Sequence, residues 1–155
     1  MFLIVHATVG AAIGERLEPP IISFWAGFLS HFIADIIPHG DERSGRELFR
    51  PERRHLLVIL AVMDGLAALS LVTMLWAGGF FSNAVGAMAS AVGAIMPDAL
   101  VGISEILDRK LWPAFSRFHD WNHGIINIEL PLPIGGLIQA AVLLIALRFL
   151  GLIIF

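Results

Sequence analysis

Histidine and aspartate are spaced for metal binding at two places in this 155-residue sequence. His31 and Asp35 sit four positions apart in the apolar run SHFIAD (30–35), and His119 and His123 sit four apart in HDWNH (119–123). Side chains at i and i+4 of a helix stack on one face with Cβ atoms about 5–6 Å apart, so each pair can reach a single ion. His6 and Asp98 fall in or at the end of other apolar stretches, and His39 follows the stretch that holds His31 and Asp35. An Asp at the centre of a membrane helix costs roughly 2.5–3.5 kcal/mol to insert, so such groups need a partner. The candidate ligands are His6, His31, Asp35, His39, Asp98, His119 and His123, with Asp41 a weaker one. Asp64, deeper in its stretch, is expected either to bind the ion or to orient a ligand histidine. There is no cysteine, and imidazole with carboxylate suits zinc, manganese or iron(II) better than calcium. A mononuclear catalytic zinc takes three protein ligands and water, so the larger donor number implies either two ions or one ion with an outer layer of partners. Asp35 and Asp98 are the candidate catalytic carboxylates, either of which could move a proton if spare. Each residue also has a structural alternative. His31 and Asp35 could be a hydrogen-bonded pair joining helices, Asp98 a helix N-cap after Pro97, His119 a headgroup contact and His55 a surface residue.

The elements that carry these residues read as membrane helices. The composition is 57% hydrophobic and only 15% charged, with a mean hydropathy of +0.83, and a chain this short cannot bury so much apolar surface in one soluble core. One integral membrane domain is expected, all-α, a polytopic helical bundle with five spans at about 1–17, 20–38, 56–77, 80–97 and 131–155. Pro19 and Pro20 open the second span and Pro38 closes it. Gly78, Gly79 and Asn83 fit a hairpin between the third and fourth spans, and the small residues Gly86, Ala89, Ala91, Gly93 and Ala94 suit close packing of the fourth. Residues 99–123 read as an interfacial segment, apolar on one helical face and charged on the other. Ser44 to Glu47 has a capping-box pattern that hints at a short helix. Gly27 to His39 and Gly86 to Asp98 echo each other, each ending in two apolar residues, a proline and a candidate ligand. Loops 39–55 and 108–130 share a side and carry Arg43, Arg46, Arg50, Arg53, Arg54, Arg109, Lys110 and Arg117, against Arg16 opposite, so the positive-inside rule puts the N-terminus in and the C-terminus out. The N-terminus lacks the basic region of a cleavable signal, so Met1 onward is expected to remain.

The early histidine, the His-x-x-x-Asp helix (30–35), the Pro-Asp at 97–98 and the His-x-x-x-His at 119–123 resemble the predicted membrane-bound metal-dependent hydrolases, whose motif style is distantly similar to that of zinc-dependent phospholipases C. The resemblance implies a helical membrane protein with a His/Asp metal site and phosphoester or lipid hydrolysis, and a ligand set of His6, His31, Asp35, Asp98, His119 and His123. The expected function is therefore hydrolysis of a phosphoester or ester of a membrane lipid at the cytoplasmic face, using one or two divalent ions, zinc first. Arg46, Arg50, Arg53 and Arg54 would hold the anion. The alternative is a non-catalytic metal-binding or structural membrane protein. Basic residues interleaved with aromatics are absent, so nucleic acid is not an expected partner, and the oligomeric state is left open.

Overall fold

A computed structural model describes residues 1–40, 54–107, 111–126, 128 and 130–153. Six helices and no strands occur among these residues: α1 (Leu3–Gly14), α2 (Pro20–Asp35), α3 (Arg54–Ala77), α4 (Ala84–Ile106), α5 (Pro113–His123) and α6 (Leu132–Phe149). Asp41, Arg46, Arg50, Arg53 and the capping-box pattern at Ser44 to Glu47 lie outside the described residues, as does the side chain of Arg54.

Three helices are long and apolar enough to cross a membrane, over Val58–Ala77, Ala84–Ser104 and Leu132–Phe149, where the sequence predicts five spans. The first two helices are shorter than their apolar stretches. α1 has 12 residues and α2 has 16, which at 1.5 Å per residue is about 18 and 24 Å against ~30 Å of hydrocarbon. Each stops for a local reason. Glu15 and Arg16 end α1 in an ion pair of 2.6 Å, and Pro38 disfavours helical backbone at Ile37, so the chain leaves α2 after Asp35. That early exit lets His39 turn back toward Asp35.

α4 departs from expectation in the opposite sense. The predicted span 80–97 and interfacial segment 99–123 meet in one continuous helix that runs through Pro97 to Ile106. Asp98 is therefore an interior residue of α4 and not the N-cap of a new helix, and only α5 remains of the separate segment. Pro97 has no N–H to close the bond to Gly93, yet the helix continues across it to Ile106. The echo between 27–39 and 86–98 does not extend to the backbone, since α2 ends before its proline and α4 passes through.

α4 is the hub, packed against α1 and α2; α1 also touches α3 and α6, and α5 rests on α2. Contact is backbone to backbone. A Cβ on Gly27 would collide with the Ser90 carbonyl, one on Gly93 with the Phe24 carbonyl, and one on Gly14 with the Gly86 carbonyl. The small residues on α4 thus do what their composition predicts. Gly79, at φ 73°, turns the α3–α4 hairpin, and Asn83 Oδ1 accepts from Gly86 N at 3.0 Å to cap α4. The interior is small and polar while large apolar side chains face out, with Ile33 68%, Met74 70% and Leu137 72% exposed. A surface of this kind suits hydrocarbon as solvent.

Candidate metal centre

One end of the bundle gathers the start of α1, the end of α2, the last third of α4, α5 and the start of α6. Its centre is Asp35, 2% exposed. Asp35 Oδ2 lies 2.9 Å from His31 Nε2 and 3.2 Å from His123 Nε2. Asp35 Oδ1 lies 3.1 Å from His6 Nε2 and 4.0 Å from His39 Nε2, and it accepts from the Met1 amino group at 2.8 Å. His119 bridges to α4, with Nε2 3.1 Å from Asp98 Oδ1 and 3.2 Å from His31 Nε2. All seven predicted ligands therefore meet in one cluster. His6, His31 and His39 are fully buried, whereas the side chains of Asp98 and His123 are 26% and 22% exposed and mark the open flank.

The protonation pattern follows from the partners. His31 Nδ1 lies 2.9 Å from the Ala94 carbonyl, one turn before Asp98, and His39 Nδ1 lies 2.6 Å from the Ile37 carbonyl. A carbonyl only accepts, so both Nδ1 atoms carry hydrogen, which in a neutral ring leaves the Nε2 lone pair directed into the cluster. His31 Nε2 faces Asp35 Oδ2, His119 Nε2 and Asp98 Oδ1. Asp35 Oδ2 and both ring nitrogens of His6 are buried with no well-directed hydrogen bond, a costly arrangement unless a cation is shared.

The spacing fits such a cation. Four donors at ~2.0–2.1 Å from one tetrahedral ion stand about 3.3–3.4 Å apart. The closest approaches within His31, Asp35, Asp98 and His119 are 2.9, 3.1, 3.2 and 3.8 Å, and one ligand atom from each lies within 4.8 Å of all the others. Asp35, His39 and His123 form a second group by the same measure. The buried His/Asp cluster could thus hold a metal ion, and the carbonyls of Ala94 and Ile37 supply the outer hydrogen bonds that fix ligand histidines.

Asp64, expected either to bind the ion or to orient a ligand histidine, meets backbone amides instead. Its carboxylate accepts from Leu3 N at 2.6 Å and Ile4 N at 3.2 Å, capping α1 and so fixing the helix that carries His6. Gln139, on α6, is buried at the cluster end. It accepts from Phe2 N at 2.8 Å and donates to the His39 carbonyl at 3.0 Å. Asn122, buried inside the HDWNH motif, donates to the Phe32 carbonyl at 2.9 Å and ties α5 to α2. A lone amide in an apolar helix was the available sign for Gln139; nothing in the sequence distinguished Asn122 from a turn residue. Phe32, Phe115 and Phe118 wall the α2–α5 side, with Phe32 and Phe118 ring centroids 5.1 Å apart. Compared with protein-family models, curated proteins and solved structures, the chain matches none.

Proposed function

We propose that this protein is a membrane-embedded metal-dependent hydrolase acting on a phosphoester or ester of a lipid at the cytoplasmic face of the inner membrane. The reading is carried by the convergence of imidazole nitrogens on a buried carboxylate within a bundle whose outer surface is apolar. A divalent ion, zinc before manganese or iron(II) for these donors, supplies a Lewis acid that polarises a phosphoryl or carbonyl oxygen and lowers the pKa of water toward ~7. Asp35, enclosed by histidines, holds the ion. Asp98 is the carboxylate with access, at 26% side-chain exposure, and it passes the proton to the outside. Substrate arrives on the flank of Asp98 and His123; as expected from the sequence alone, Arg46, Arg50, Arg53 and Arg54 are the cations available to its phosphate. The test is zinc-loaded protein in mixed liposomes presenting phospholipids and lipid phosphates, with headgroup and phosphate release followed. Turnover above the chelated control is expected; none, with metal confirmed bound, sinks the hydrolase.

In the same reading α1 and α2 join the three longer helices as short spans, giving five crossings with the N-terminus in and the C-terminus out. Since the chain has no cysteine, a single one introduced at Ser44 should be shielded from an impermeant thiol reagent in intact cells and one at Ser82 labelled. The reverse pattern overturns the orientation.

One observation favours a second reading. His31, Asp35, Asp98 and His119 together supply four protein donors, the number that closes a structural zinc site. In that case the ion only clamps α2, α4 and α5, and the liposome assay stays silent while metal is retained.

A further inference from the structure

We infer that the cluster is built for two metal ions bridged by the Asp35 carboxylate, one held with His31, Asp98 and His119 and the other with His39 and His123. This deepens the metal reading above and depends on it. The two donor groups share Asp35 and no other residue. His31 and His39 meet different oxygens of that carboxylate. Oδ2 is the atom 2.9 Å from His31 Nε2, and Oδ1 is the atom 4.0 Å from His39 Nε2 and 3.1 Å from His6 Nε2. His123 Nε2 lies 3.2 Å from the Oδ2 atom that also faces His31, and its ring stands beside that of His39 at 5.5 Å between centroids.

One ion does not satisfy this donor set. Four donors complete a tetrahedron around the first ion, and His39 Nε2, His6 and the Oδ1 lone pairs of Asp35 remain aimed at a separate point. A positive group already meets two of these acceptors. The Met1 amino group lies 2.7 Å from His39 Nε2 and 2.8 Å from Asp35 Oδ1, so a second ion at this point takes the place of the ammonium proton charge and the amine moves aside or joins as a neutral donor. His6 borders both groups, with its ring stacked on His31 at 4.2 Å and its nitrogens lacking any well-directed hydrogen bond. The second group has three protein donors, the number that leaves a coordination position open, and it reaches the exposed flank through His123. Paired ions about 3.5–4 Å apart are the arrangement that clamps both oxygens of a phosphoryl displacement, so the substrate class is a phosphoester in preference to a carboxylic ester.

The experiment is metal stoichiometry of the detergent-purified full chain after equilibration with zinc, with electron paramagnetic resonance of the manganese-loaded protein as a second readout. Wild type is expected to retain two ions and to show the broadened signal of an interacting manganese pair. His39→Ala and His119→Ala should each halve the retained metal and restore the sharp signal of an isolated ion. His123→Ala, a change at a partly exposed side chain, should do the same and covers the case in which His39→Ala does not fold. A single ion in wild type, unchanged by His39→Ala or His123→Ala, overturns the bridged pair. Absence of any metal overturns the underlying metal reading as well. Two ions without lipid turnover leave the pair standing and remove the hydrolase.

Discussion

Replacing Asp35 with alanine is expected to abolish metal retention and to destabilise the bundle by about 3–5 kcal/mol, the cost of stripping a buried charge cluster of one partner. No other substitution should do as much, because the Asp35 carboxylate lies within 3.2 Å of His6, His31, His123 and the Met1 amino group. Those groups come from α1, α2 and α5, so the loss is felt across the bundle and not within one helix. Asp35→Asn separates the two effects. The amide preserves shape and one acceptor oxygen but carries no charge, and it should recover part of the stability while still failing to hold metal. Metal content and denaturant unfolding in detergent, followed by helical circular dichroism, give both quantities. Full metal content in the alanine variant, or a destabilisation below about 1 kcal/mol, would count against Asp35 as the centre.

Removing the metal from the wild-type protein should lower its unfolding temperature by roughly 8–16 °C. The donors lie far apart in sequence, His31 and His119 by 88 positions, and the unfolded chain cannot assemble them. Metal affinity therefore appears as folding free energy, about 4 kcal/mol when free metal is a thousandfold above its Kd. For a chain of this length each kcal/mol shifts the midpoint by about 2–4 °C. The shift should reverse on adding zinc and vanish in Asp35→Ala. Identical unfolding curves with and without chelator would show that the His/Asp network needs no ion. The histidines and carboxylates would then be a hydrogen-bonded lock between helices.

Composition alone determined that the protein is helical with an apolar exterior, because 57% hydrophobic residues in 155 positions exceed what a small soluble core can enclose. Spacing alone determined the ligand pairs within each helix, since the 3.6-residue period puts His31 with Asp35, and His119 with His123, on one face. Hydropathy blurred the helix ends. Averaged over ~20 residues, it merged α1 with the charged turn at Glu15 and Arg16, extended α2 past Asp35, and took Pro97 as a terminus. Those ends depend on packing. α4 is packed on α1 and α2 through its glycine and serine backbone and runs on through Pro97, while α2, with Pro38 just beyond it, turns back and delivers His39.

Which ligands meet was decided only by the tertiary structure. That Asp35 became the hub, that Asp64 caps α1 and that Gln139 belongs to the cluster end all depend on helix register, to which the periodicity of a single helix is blind. A shift of one turn, about 5.4 Å, exceeds the nitrogen–oxygen distances that join the cluster, at most 4.0 Å. The close glycine contacts of α1 and α2 with α4 hold that register. The physical reason is range: periodicity acts within one helix, whereas ligation requires donors from several helices to reach a common point within tenths of an ångström.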